Sequence, residues 1–364
     1  MDFYINLFVI TLIATMLELF KIKKFHKLII IYLLAMIYIF LSATRWSGLD
    51  WQMYYDFFLY NNSYDDFVNN SLGIDFGYGI INYLVKSFTD EYSVLISILA
   101  IIIISIKVNF ILKFAMFPLL TMFYWFGTYM GDIFFIRQTL AVAITLIAFR
   151  FIVKKNFLLF LLFTCLAACI QISTIFFIPA YFLFYKKIKI RYLVLILIIT
   201  CVIGQILDSS ILTAVSGVIN IFPDGERLGS KIELYTYFYD NTMDSEKMLY
   251  GILRRMIFLP LELYFINKIE KYDANYRGYI NLIVFGNVLY FLFGNISPVI
   301  AGRINLAYNF YEVLVIPIIF ITYKSFKIRI LLFICFVIFV FAKYMFNLYD
   351  LYEQYVPYIN ILIQ

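Results

Sequence analysis

Long apolar runs separated by short basic connections recur along nearly the whole chain, and no other feature restricts its fold as much. A helix that crosses a bilayer needs about 20 consecutive apolar residues, and it must satisfy its own backbone hydrogen bonds there. Such runs lie near residues 3–20, 28–44, 92–112, 114–130, 133–153, 157–170, 172–185, 191–212, 248–266, 279–296, 304–322 and 330–346. They predict an all-α, polytopic integral membrane protein of about twelve transmembrane helices, forming one transmembrane domain over residues 1–364. A stretch such as 157–185 is too long for one span and short for two, so a broken or re-entrant helix is expected around Gln171. With 64% hydrophobic and 14% charged residues, no water-soluble domain could hide its apolar surface. A β-barrel would instead show short alternating strands.

The first run, Phe3 to Phe20, lacks a basic leader and a small-residue cleavage site, and is expected to be a retained helix rather than a signal peptide. Cys165, Cys169, Cys201 and Cys335 all fall in apolar stretches. They predict small core residues rather than a disulfide framework or a thiolate metal site.

Basic residues fix the expected orientation. Lys21, Lys23, Lys24 and Lys27 follow the first run; Lys107 and Lys113 follow the third; Arg150, Lys154 and Lys155 end the fifth; Lys186, Lys187, Lys189 and Arg191 follow the seventh. Lys268, Lys271 and Arg277 follow the ninth, and Lys324, Lys327 and Arg329 the eleventh. Basic loops are retained inside, so both termini are expected outside. The longest connections, 45–91 and 213–247, then face out, and the first is acidic, carrying Asp50, Asp56, Asp65, Asp66, Asp75, Asp90 and Glu91. Their aromatic residues, among them Trp46, Trp51, Tyr54, Tyr55, Tyr60, Tyr64, Tyr78, Tyr235, Tyr237 and Tyr239, suit helices lying in the interface. They suit sugar binding equally, because aromatic faces pack on the C–H faces of pyranose rings.

Five arginines run against the positive-inside bias. Arg45 opens the first outer loop, Arg137 lies about one turn inside the fifth run, Arg254 and Arg255 about two turns inside the ninth, and Arg303 opens the eleventh. Charge inside a span is costly unless it pairs or lines a wet cavity. Asp50, Asp132, Asp208 and Glu262 are available partners; a shared anionic ligand is the other explanation, and five arginines together favour it. A pyrophosphate fits, since guanidinium groups hold phosphate oxygens bidentately and stabilise charge on a departing phosphate. Asp50, Asp75 and Asp132 are candidates for a base or for positioning sugar hydroxyls. There is no GxxxxGK[ST] loop, and the glycines of Asp75-Phe76-Gly77-Tyr78-Gly79 read as a turn, so cytoplasmic nucleotide use is not expected. His26, the only histidine, lies in a basic inner loop, which excludes a histidine-based zinc site or triad.

Placed in order, these residues resemble a known pattern. Arg45-x4-Asp50-x3-Tyr54-x2-Phe57 resembles the R-x-x-x-x-D-x-x-x-Y pattern of EpsG/Wzy-type exopolysaccharide and O-antigen polymerases. Asp75-Phe76-Gly77-Tyr78 is similar to that family's E-x-G-[FY] element, with Asp for Glu, and Ile136-Arg137-Gln138-Thr139-Leu140-Ala141 to its IRQ-x-LA signature. Gln171-Ile172-Ser173 occupies the place of an H-x-S motif, with Gln171 where the family has histidine. Arg303 with Asn305 and Tyr308 resembles the late arginine–tyrosine element, and Pro357-Tyr358 the closing PY.

The resemblance implies a membrane glycosyltransferase with a GT-C-like polymerase/ligase fold, acting at the outer face of the bacterial cytoplasmic membrane. Its donor and acceptor would be undecaprenyl-pyrophosphate-linked oligosaccharide repeats, joined into O-antigen, capsule or exopolysaccharide with lipid pyrophosphate as leaving group. The catalytic residues it implies are Arg137 and Arg303 on pyrophosphate and Arg45 with Asp50 around the reacting sugar. Arg254 and Arg255 would be further clamps, and Tyr54, Asp75, Tyr78, Gln138, Gln171 and Tyr308 would bind substrate. No cofactor or metal is expected, because arginines can supply the positive charge. A chain-length regulator and a flippase of the same pathway are possible partners; nucleic acid is not. The competing readings are a lipid-linked oligosaccharide flippase or transporter and an O-antigen ligase-like glycosyltransferase.

Overall fold

The computed structural model describes residues 1–20, 22–70, 72–207, 251–253, 255–256, 259–321 and 325–362. Regular structure among them is helical, and the one β contact is an isolated bridge between Arg45 and Asn360. In chain order the first half contains α1 (Asp2–Met16), α2 (Lys24–Thr44), α3 (Trp51–Tyr60), α4 (Tyr64–Val68), α5 (Phe76–Lys86), α6 (Tyr92–Phe114), α7 (Pro118–Tyr129), α8 (Arg137–Val153) and α9 (Phe157–Ile170). There follow α10 (Ala180–Leu183), α11 (Ile190–Ile206), α12 (Leu259–Ile269), α13 (Tyr276–Phe293), α14 (Pro298–Asn309), α15 (Glu312–Ile321), α16 (Phe326–Asp350) and α17 (Tyr352–Tyr355). They form two compact units, one of Met1–Asn70, Ile74–Ile172 and Ile316–Gln364, the other of Ser71–Gly73 and Ser173–Val315.

Among the described residues, four helices are long and apolar enough to cross a membrane: Asp2–Leu19, Lys24–Thr44, Tyr92–Phe114 and Phe326–Asp350. Pro298–Asn309 with Glu312–Ile319, bent by 60°, would make a fifth. Their outward faces are greasy, as hydrocarbon requires. On α16 the exposed residues Leu331, Ile334, Ile338 and Phe341 recur at helical spacing, and Cys335 is exposed among them. Cys165 is likewise exposed on α9, near Leu158, Leu162 and Leu166. These two cysteines are therefore outward-facing rather than core residues, because the apolar periodicity of a membrane helix marks the lipid face as strongly as the packed face.

In the first unit the predicted spans 114–130 and 133–153 are replaced by shorter pieces. Pro118 starts α7, where its missing N–H costs nothing, and a left-handed residue, Met130, ends it after 12 residues. That is about 18 Å of helix, short of the roughly 30 Å of hydrocarbon. Lys107, expected in an inner loop, is instead buried within α6 and ion-paired with Asp132. The connection 45–91 holds three short helices, as its aromatic content suggested. Ser63 starts α4 through a reciprocal cap: its hydroxyl accepts from the Asp66 N–H at 3.2 Å and the Asp66 carboxylate accepts from the Ser63 N–H at 3.0 Å. The expected break at Gln171 is present, where the chain turns extended (φ −147°, ψ 105°) and α9 ends. The connection 213–247 lies outside the described residues.

In the second unit α13 crosses α14 closely because Gly286 has no side chain: a Cβ there would come within 2.5 Å of Asn305 Oδ1 and of Tyr308 Cβ. Arg277, in the first turn of α13, grips Glu270 bidentately, with Nε 3.0 Å from Oε1 and Nη2 2.8 Å from Oε2. Hydrogen bonding from Arg277 holds the Glu270 carboxyl below the usual carboxylate range. A depressed folded-state value means stabilisation that is present above the unfolded value and lost on acidification. Thermal stability of the native protein should fall as pH drops below about 4.3, and Glu270→Gln should flatten that part of the profile. Equal acid sensitivity in a Glu270→Gln melting series would remove the contribution.

Candidate active site

The first unit brings together residues from four separate segments around the start of α8. The apolar members of the Ile136–Ala141 hexapeptide do the anchoring: Ile136, Leu140 and Ala141 are buried in one cluster with Trp51, Tyr54, Phe57, Tyr78, Tyr92 and Ile170. This seating leaves Arg137 as the first residue of α8, half-buried, rather than one turn inside a longer helix as the sequence suggested. The boundary moved because residues 130–136 break the chain instead of continuing it. A cation at the positive end of a helix opposes the helix dipole, and that arrangement costs stability unless an anion offsets it. Asp75 Oδ2 lies 3.9 Å from Arg137 Nη1, and the guanidinium sits 5.8 Å from the centre of the Tyr54 ring. Tyr54 in turn packs on Tyr78 with ring centres 5.3 Å apart. Gln138 follows Arg137 and is half-buried.

Asp75 precedes α5, so the Asp75–Gly79 run opens a helix instead of forming a turn. Gly77 is what lets this helix lie against α9: a Cβ would stand 2.7 Å from the Cys169 carbonyl oxygen and 2.9 Å from the Cys169 Cβ. The contact falls two residues before Gln171, itself buried at the extended end of α9.

Arg45 is buried and, among the described residues, bonds to carbonyls rather than to an acid. Its Nη1 donates to Phe134 O and, at 3.3 Å, to Ser47 O. Burial lowers the Arg45 proton affinity, opposed by the adjacent Tyr92, Tyr355 and Tyr78, and an arginine in a protein still remains charged. Asp50 is half-buried at the start of α3. Asp132, one of the acids available to the arginines, is engaged by Lys107 and by Trp125 Nε1 at 3.0 Å.

Beside these groups stand buried polar atoms with no hydrogen-bond partner among the described residues: Arg45 Nε, Ser47 Oγ, Trp51 Nε1, Tyr78 OH and Tyr92 OH. Burial, then Tyr92 and Tyr54, pushes the Tyr78 hydroxyl well above the ordinary phenol range, so it stays a protonated donor. Buried donors are expensive to leave unpaired, so an acceptor, whether water or a ligand oxygen, is expected at each. Ser47 and Tyr92 carried no sequence signal for this role, since a serine or tyrosine beside a span is ordinary in a membrane chain.

The EpsG family model matches residues 28–360. The chain belongs to the EpsG family. This is a Wzy-type polysaccharide polymerase family, and the matched range covers nearly the whole chain, from inside α2 to the segment after Tyr358. No curated protein and no solved structure matches it.

Several residues of the EpsG-family motifs hold backbone in this fold. Tyr358 of the closing Pro-Tyr donates to Leu41 O at 2.6 Å, and the Trp46 N–H donates to Ile359 O at 2.8 Å, so the C-terminal segment pins the chain on both sides of Arg45. In the second unit Tyr308 is buried and donates to Phe176 O at 2.6 Å, while Asn305 accepts from Arg255 Nε at 3.0 Å once its amide is oriented by its neighbours. The Arg255 guanidinium lies 3.3 Å over the Tyr290 ring and donates to Gly251 O at 2.9 Å. Arg303 is half-buried in the second turn of α14 rather than at a helix start, because Ser297 and Pro298 begin that helix earlier. Arg254 and Asp208 lie outside the described residues.

Proposed function

We propose that this EpsG-family polymerase extends a glycan at the outer face of the bacterial cytoplasmic membrane, using undecaprenyl-pyrophosphate-linked oligosaccharide repeats as donor and acceptor. The observation that carries the reading is Arg137, a half-buried cation at the positive end of α8 with Asp75 and Tyr54 beside it. An anion bound there would meet a guanidinium and the positive end of the helix dipole together. In the proposed step an acceptor hydroxyl oxygen attacks the anomeric carbon of the donor. The carbon–oxygen bond to pyrophosphate breaks with its electron pair, and lipid pyrophosphate departs with the charge that Arg137 stabilises. The hydroxyl proton passes to a carboxylate, for which Asp50 and Asp75 are the candidates, with Gln171 orienting a hydroxyl or phosphate oxygen. The unpaired donors near Arg45 support binding of sugar or phosphate oxygens alongside.

The same proposal has the chain crossing the membrane about twelve times, with both termini outside and the long connections facing outward. A chain-length regulator and a flippase would act beside it. Deleting the gene in the producing bacterium should leave single repeat units displayed outside on their lipid or its final carrier. Repeats trapped inside would favour the flippase reading instead, and full-length glycan left on the lipid would favour a ligase.

A further inference from the structure

The segment that delivers Arg137 is strained and pinned by buried contacts. Met130, Gly131 and Asp132 all adopt left-handed φ values (51°, 62° and 58°), which is unfavourable for the two that carry side chains. Asp132 is buried and held twice, by the Lys107 ammonium of α6 and by Trp125 Nε1 of α7 at 3.0 Å. Further along, Ser42 Oγ donates to Ile133 O at 3.3 Å and Arg45 to Phe134 O, so each anchored residue lies on the direct path to Arg137. A charge pair this deeply buried carries a desolvation cost that hydrophobic replacements would avoid, which argues for a role beyond packing.

We infer that Lys107 and Asp132 are positioning residues: the pair, clamped by Trp125, fixes the 130–136 segment so that the Arg137 guanidinium is held where the leaving group develops its charge. The inference rests on the proposed role of Arg137. Neither residue touches substrate; each acts through the backbone that ends at the start of α8. A displacement of an ångström or so at a charge-stabilising group lowers turnover by about tenfold or more while leaving ground-state binding little changed.

The experiment is a double-mutant cycle on full-length protein reconstituted in vesicles, with chain growth normalised to folded protein. Asp132→Asn should lower kcat about tenfold with KM nearly unchanged, and should add little to Arg137→Ala, because the pair works only through that arginine. Trp125→Phe, which removes one hydrogen bond to Asp132 and keeps the ring, should give a smaller loss of the same kind, and it serves if Asp132→Asn fails to fold. Lys107→Arg should retain most of the turnover that Lys107→Met loses. Full activity in both Asp132→Asn and Trp125→Phe, or losses that multiply with that of Arg137→Ala, would overturn the inference. Unimpaired Arg137→Ala would instead overturn the role given to Arg137 itself.

Discussion

Purified Arg137→Ala protein is expected to extend lipid-linked repeats about 100- to 1,000-fold more slowly than the native chain, the range seen when one preorganised charge-stabilising donor is removed. The loss should fall on kcat, since the guanidinium is asked to stabilise charge that develops only as pyrophosphate leaves. Arg137→Lys should recover part of it. A lysine keeps the charge but not the planar fork that binds two phosphate oxygens at once, so the conservative change separates electrostatics from bidentate geometry. Little structural damage is expected, because α8 is held by Ile136, Leu140 and Ala141 and not by the arginine. A variant that melts like the native protein and polymerises like it would remove Arg137 from the mechanism.

Gly77→Ala should produce the second large effect, and by a different route. The added methyl would lie under 3.0 Å from the backbone and Cβ of Cys169, none of which is the far end of a flexible side chain. Either α5 moves away from α9 or the packing between them is strained, at a cost of about 1–3 kcal/mol. Because Asp75 and Tyr78 flank Gly77, activity should fall along with the melting temperature. Gly302→Ala is the internal control: nothing stands within 4 Å of the position a Cβ would take, and alanine favours helix, so that variant should be at least as stable as the native chain. Equal melting temperatures for Gly77→Ala and the native protein would show that the close contact is unnecessary.

Sequence and structure agree where the physics is local. Apolar runs mark helices because hydrocarbon leaves the backbone no alternative, and the isolated Gln171 between two apolar stretches marks a break because two short helices cannot share one span. Arg45, Arg137 and Arg303 stand out because charge among apolar residues is costly in any membrane fold. What the sequence hides is where runs of equal hydropathy are interrupted. The apolar run 114–130 ends where α7 ends, but nothing in the next run, 133–153, announces that helix resumes only at Arg137, after a set of left-handed backbone angles beside a tertiary ion pair. For the same reason Lys107 reads as a loop lysine: its partner Asp132 is remote in sequence, and only folding brings them together. The backbone-holding role of motif residues is hidden as well. Tyr308 looks like a ligand residue beside Arg303, yet its hydroxyl donates to a backbone carbonyl, as does that of Tyr358 in the closing Pro-Tyr. Trp51 reads as an interfacial aromatic, and it is its burial without a hydrogen-bond partner among the described residues that sets it apart.

Arg303 calls for its own comparison. It sits in the second unit, half-buried on α14, while the neighbouring Asn305 and Tyr308 are committed to holding that unit together. If it takes part in chemistry, Arg303→Ala should lower turnover without the loss of folding expected for Asn305→Ala, whose amide is fully buried against Gly286.

In the proposed reaction glycan growth proceeds by displacement of lipid pyrophosphate. The most direct measurement follows both products at once, in vesicles that contain the purified protein and a synthetic polyprenyl-pyrophosphate-linked repeat as the only sugar source. One lipid pyrophosphate should be released for every linkage formed, with both signals reduced together in Arg137→Ala. Polymer that grows without release of lipid pyrophosphate, or native protein that forms no linkage from this donor, would contradict it.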